Sequence, residues 1–250
     1  MKNEIILWLC SLIIIFLVGY VKNITNIDYP VTGTFGIEGK KVSYKLDKVS
    51  FDKKFYKNVI ISDIKGIEAR ALIINDDKQN EIAYKEIDKG LECEIPKLNP
   101  SQKMRYKVII NYNATTYEIP KNDFVTLTFW GSIPSPVSLM YFIFLYSGLV
   151  MVLRSLLEAF TKKLHLKKFA FITCTLFITL NILIYPLYNT YKLGAINHYV
   201  PPFSDLVNPI LMMILFLWII GTTLIFNRVF IKTITTVISF ATILMFFFLN

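Results

Sequence analysis

Five long apolar runs and one polar stretch divide the chain. The runs are Ile5–Val21, Val137–Leu153 (continuing in register to Phe160), Phe169–Tyr188, Ile210–Phe226 and Thr233–Leu249, and none carries Asp, Glu, Lys or Arg at its centre. A helix needs about 20 predominantly apolar residues to cross roughly 30 Å of hydrocarbon. Each run therefore predicts a transmembrane helix. The plan that follows is an anchor over 1–21, a polar domain over 22–133, and a four-helix membrane domain over 134–250, with spans near 137–158, 169–188, 208–226 and 233–249. The first run reads as an uncleaved anchor. Lys2 is offset by Glu4, the run closes on Gly19-Tyr20-Val21-Lys22 without a small-x-small cleavage site, and Leu7-Trp8-Leu9 before Cys10 is not a lipoprotein signal.

Inside the polar segment the period changes to two. Along Lys103–Tyr112, Met104, Tyr106, Val108, Ile110 and Tyr112 share one face, while Lys103, Arg105, Lys107 and Asn111 share the other. That alternation predicts a strand with one buried side. Ala69–Ile74 and Glu81–Tyr84 flank the turn cluster Asn75-Asp76-Asp77-Lys78-Gln79-Asn80, a hairpin signal. Asp88-Lys89-Gly90 turns the chain into Leu91–Ile95. With Val42–Val49, Asn58–Ile64, Thr115–Ile119 and Phe124–Phe129 the set comes to about eight short strands, at the spacing of a β-sandwich. Lys22–Gly36 reads as an irregular lead-in broken at Tyr29-Pro30. Gly131-Ser132-Ile133-Pro134-Ser135-Pro136 reads as a stiff exit, with Trp130 suited to a membrane interface.

Leu98, Pro100 and Tyr106, followed by Val108 and Ile110, resemble the corner-and-strand signature of fibronectin type III-like (Ig-like) domains. The likeness covers residues ~39–130. It implies a tyrosine whose hydroxyl ties back to the chain upstream, and it implies no activity. Two features depart from the family pattern. The Pro100–Tyr106 stretch is about two residues longer than usual, and the segment's one tryptophan, Trp130, lies at its exit. The whole chain resembles uncharacterised bacterial integral membrane proteins that carry an outward sandwich before a helical bundle. The expected fold is thus an extracytoplasmic all-β sandwich inserted between the first transmembrane helix and a four-helix transmembrane bundle, five transmembrane helices in total.

Charge fixes an expected orientation. The net charge is +9, yet residues 22–133 hold 18 basic and 15 acidic residues, a balanced surface that argues against nucleic acid as a partner. The excess lies near the apolar runs. Arg154, Lys162, Lys163, Lys167 and Lys168 face a lone Glu158 between the second and third, and Arg228 and Lys232 lie between the fourth and fifth. Short basic loops stay cytoplasmic. The amino terminus is then inside, and residues 22–133 and the carboxyl terminus are outside, at the cell membrane. The first five cations are the expected contacts to anionic lipid.

Chemistry is sparse. Cys10, Cys93 and Cys174 show neither pairing nor metal spacing. The expected outer loop, 189–209, holds Asn197, His198, Tyr199 and Asp205. His198, oriented by Asp205, has the chemistry of a base or ligand. One His and one Asp fall short of the roughly four ligands of a structural zinc site, so the loop reads first as a structured cap on the bundle, packed under the sandwich, and second as a ligand or partner contact. His165 sits in a basic loop. Asn181 is the polar group inside the third span and reads as a bond to a neighbouring helix. Pro186 marks a bend or the outer boundary of that span. Gly148 and Gly221 are too isolated to form a dimerisation motif. The sequons at Asn23 and Asn113 carry no assigned role. No serine elbow, phosphate loop, metal set or cofactor fingerprint stands in the sequence. The expectation is a non-enzymatic membrane accessory or scaffold protein whose sandwich contacts other membrane or envelope proteins. The alternatives are a transporter or channel component, and a metal-dependent membrane enzyme using 189–209.

Overall fold

The computed structural model describes residues 2–51, 54–64, 66–75, 78–113, 115–161, 165–196, 198–228 and 230–249. Helix α1 (Lys2–Thr25) leads into strands β1 (Val31–Ile37), β2 (Lys40–Leu46), β3 (Val49–Ser50), β4 (Phe55–Ser62), β5 (Glu68–Asn75) and β6 (Lys78–Ala83). Strands β7 (Lys85–Ile87), β8 (Gly90–Pro96), β9 (Lys103–Tyr112), β10 (Thr115–Ile119) and β11 (Val125–Phe129) follow. The remainder is helical: α2 (Ser135–Glu158), α3 (Leu166–Thr179), a π segment (Leu180–Ile184), α4 (Tyr185–Lys192), α5 (Phe203–Leu206), α6 (Pro209–Phe226) and α7 (Ile231–Phe247). Two compact units result. One joins α1 to the helices from Ile133 onward; the other comprises Ile27–Ser132 with Lys192–Gly194.

The strands form two sheets, β1-β2-β4-β8-β7 and β3-β11-β9-β5-β6, with β10 added along β9. Pairing is antiparallel except between β3 and β11. The alternation along β9 is realised: Met104, Tyr106, Val108 and Ile110 are buried and Lys103 and Arg105 exposed. Inward residues of both sheets, among them Val42, Ile60, Ile95 and Leu127, form one shared apolar cluster. Burial of such side chains contributes roughly 1.5–3 kcal/mol each. The lead-in contains a strand that the sequence reading left irregular. In β1, Thr32 and Thr34 face out and Phe35 and Ile37 face in. Gly33 keeps that inward row legible only in three dimensions, because the Tyr44 ring occupies the space a Cβ would take. Strand β7 is likewise additional.

Among the described residues of the helical unit, four helices are long and apolar enough to cross a membrane: Glu4–Thr25, Ser135–Glu158, Leu166–Lys192 and Pro209–Phe226. The fifth expected span is α7, at 17 residues. At 1.5 Å per residue it is about 26 Å long. Helix α1 runs past Val21 to Thr25, whose Oγ1 donates back to the Val21 carbonyl at 2.9 Å. The third span does not end at Pro186. Proline lacks the amide that an α-helix would bond four residues back. The backbone directly before it widens to the π pattern, with the Tyr185 amide bonded to the Leu180 carbonyl, and the helix then continues to Lys192. Close packing supplies the rest: the Phe177 ring lies against Gly148, and Ile238 lies against Gly221. Trp218 is fully buried and donates from Nε1 to Thr242 Oγ1 at 2.9 Å.

Candidate functional site

The first sheet carries the most distinctive surface of the sheet unit. Its edge strand β1 pairs with β2 on one side, and among the described residues nothing pairs with the other. Exposed edges are normally guarded by charge, proline or shortness. The other long edge follows that rule: β6 presents Lys78, Gln79, Asn80 and Glu81. Strand β1, VTGTFGI, is seven residues long and carries no charge at all. On the outer face of the same sheet, Phe55, Val59 and Ile61 of β4 are 45%, 37% and 58% exposed. Ile61 and Ile87 both pair with Gly90, so two isoleucines flank a position without a side chain. Gly90 must be glycine: its φ is +142°, and a Cβ there would fall 1.9 Å from the Ile60 carbonyl oxygen. Lys57 interrupts the apolar strip and pairs with Glu92 and Glu94 at 3.2 and 3.1 Å. Its ammonium pKa is pushed up, chiefly by the hydrogen bond to Glu94 and next by that to Glu92.

Behind this face lies a buried polar cluster. Asn58, 1% exposed, donates from Nδ2 to the Lys45 carbonyl and to Tyr56 Oη, and accepts from Tyr84 Oη at 2.6 Å. Tyr56 and Tyr106 meet hydroxyl to hydroxyl at 3.2 Å. Tyr106 also donates to the Asp47 carbonyl at 2.9 Å. The hydroxyl does tie back upstream, but to the connection between β2 and β3 rather than to the Leu98–Pro100 stretch beside its own strand. Burial pushes the Tyr84 and Tyr106 hydroxyls above the ordinary tyrosine range. Burial also pushes the Cys93 thiol up to about 11. Hydroxyls so held are neutral and occupied, which makes the cluster a tie between the sheets rather than a nucleophile.

The structure places the remaining expected residues separately. Asn197 lies outside the described residues. His198 and Tyr199 are exposed on the turn after α4, and both backbone amides donate to the Ala195 carbonyl. Asp205 belongs to α5; its carboxylate accepts from Ser204 Oγ and its carbonyl from Asn189 Nδ2. Among the described residues no bond joins His198 to Asp205, and no group of three or more His, Cys, Asp or Glu side chains is placed to hold a metal. Asn113 makes a side-chain bond to Glu38 at 3.0 Å, while Ala114 of its sequon lies outside the described residues.

Two expectations in the helical unit are corrected. Among the described residues, Asn181 makes no bond to a neighbouring helix. It sits in the π segment, 5% exposed, and its Nδ2 donates to the Phe177 carbonyl of its own helix at 2.9 Å. Arg154 is not a headgroup contact, because α2 remains helical through Glu158 and turns both residues inward. Arg154 is 1% exposed and donates from Nη1 to Glu158 Oε2 at 2.6 Å. Its guanidinium lies 4.5 Å from the Phe169 ring centre and 5.6 Å from that of Trp8. Glu158 Oε1 accepts from the His165 amide at 3.0 Å, closing the corner between α2 and α3. Arg154 Nε has no partner among the described residues. The sequence signal was there, an Arg and a Glu four apart on one helical face. Lys167 donates from Nζ to the Phe226 carbonyl at the end of α6, at 3.0 Å, and Lys168 is exposed. Lys162 and Lys163 lie outside the described residues.

No family model matches the chain, and no match stands among the curated proteins or the solved structures.

Proposed function

We propose that this chain is an integral membrane accessory or scaffold protein. In this reading its two sheets form a fibronectin III-like sandwich outside the cell membrane and dock a protein partner by strand addition along β1. The amino terminus is cytoplasmic, and the partner is another membrane or envelope protein. The observation that carries the reading is the bare, charge-free edge of β1, set against the guarded edge of β6. An added strand gains main-chain hydrogen bonds along such an edge and reads side chains from the adjoining face. The apolar strip of Phe55, Val59 and Ile61 on the same sheet supplies a surface of the kind that marks contacts.

The test places lysines on the outward positions of β1. Thr32→Lys combined with Thr34→Lys should abolish a specific co-purifying partner in mild detergent and leave thermal unfolding unchanged. A cysteine at Thr34 should crosslink to that same partner in cells. Retention of the partner by the double-lysine variant, or a solitary monodisperse protein with no crosslinked neighbour at Thr34, would sink the proposal.

A further inference from the structure

A groove of about 1020 Å³ runs along the helical unit between α1 and α2 and also touches Ile172 and Leu176 of α3. Its wall on α1 extends from Trp8 through Leu12, Ile15 and Phe16 to Tyr20, apolar or aromatic throughout apart from Gly19. On α1 its polar groups gather at one end, where Lys22, Asn23 and Asn26 line it, and Ser147 of α2 lines it as well. The Lys22 ammonium lies 4.5 Å from the Phe246 ring centre, and among the described residues no carboxylate pairs with it. A cation held beside hydrocarbon calls for an anion.

Polarity chooses the occupant. From Trp8 to Lys22 the groove follows α1 for about 21 Å at 1.5 Å per residue. Its wall is apolar along that length and ends at a cation, which matches a lipid lying beside the helix, hydrocarbon on the wall and an anionic headgroup at Lys22. We infer that it binds an anionic glycerophospholipid of the surrounding bilayer, an acyl chain along Trp8–Tyr20 and the phosphate at Lys22. Lysine serves phosphate as a point charge and demands no bidentate geometry. The phosphate end lies at the opposite end of α1 from the Arg154 corner, where Trp8 meets Phe169. It does not depend on the partner proposed for β1.

The experiment uses the full chain in mild detergent, equilibrated with equal amounts of phosphatidylglycerol and phosphatidylcholine of identical acyl chains. Retained lipid is counted by native mass spectrometry. The native protein should hold phosphatidylglycerol with a preference of about fivefold, the worth of one lysine beside an anionic headgroup. Lys22→Gln should bring the two lipids level, Lys22→Arg should keep the preference, and Ser147→Phe, which fills the groove, should lower retention of both. Equal retention by the native protein would mean annular lipid only and would overturn the inference. So would an unchanged preference in Lys22→Gln, a lost preference in a folded Lys22→Arg, or a protein partner crosslinked through Phe16→Cys in place of lipid.

Discussion

In the sheet unit, buried polar side chains reach across the fold; in the helical unit, most buried hydroxyls turn back on their own helices. Tyr106 bonds Asp47, and Tyr84 bonds Asn58, pairs that are 59 and 26 positions apart. By contrast Ser11, Ser155, Thr173, Thr235 and Thr242 each donate to the carbonyl four residues earlier. The difference follows from the surroundings each unit is built for. A water-facing domain gains specificity from a fully satisfied internal network. An apolar helix in lipid must satisfy its polar atoms locally, and close shape then holds helix to helix. Gly148 against Phe177 and Gly221 against Ile238 are such contacts. The Trp218 indole, bonded to Thr242 from α6 to α7, departs from this, and the Arg154–Glu158 pair is the charged exception, a tie at a helix corner.

That exception is where the comparison breaks hardest. Arg154→Leu leaves Glu158 buried without its cation and should cost about 3–5 kcal/mol. The double variant Arg154→Leu, Glu158→Leu should recover much of the loss. Thermal unfolding in detergent measures both, and a single variant as stable as the native chain would show the pair to be ornamental. The sheet network comes next. Tyr106→Phe strips a donor from the Asp47 carbonyl and should cost about 1–3 kcal/mol, with faster hydrogen exchange at the link between β2 and β3. The smallest effect belongs to Thr235→Val. Among the described residues its hydroxyl bonds only its own helix, so stability should move by about 0.5 kcal/mol or less. A loss as large as that of Tyr106→Phe would mean the two units do not differ in this way.

The strands with strong alternation were legible from sequence. Lys103–Tyr112 and Thr115–Ile119 stand at the expected bounds because charged and apolar residues take strict turns there. Strand β1 was not legible, because Gly33 and Gly36 thin its pattern and threonines mimic a loop. Asn58 hid for a related reason: a lone amide between Lys57 and Val59 declares no partner until β2 and the tyrosines close around it. The pairing of His198 with Asp205 failed on local geometry. Pro201-Pro202 separates them, and Asp205 is carried on its own short helix. The helix through Arg154 and Glu158 was legible as a run in register to Phe160, but their inward pairing was not, because charges at the end of an apolar run usually face headgroups. Here the two charges turn into the bundle and satisfy each other.

The seat of Trp218 has an optical consequence. The chain has three tryptophans, in three settings: Trp8 is 37% exposed on α1, Trp130 lies 4.5 Å from the Lys192 ammonium, and Trp218 is fully enclosed with its indole N–H engaged. Trp218 should emit at the short-wavelength end of the spectrum and ignore aqueous quenchers for as long as α6 and α7 stay together. Its colour is therefore a clock for the separation of those two helices, readable without any label.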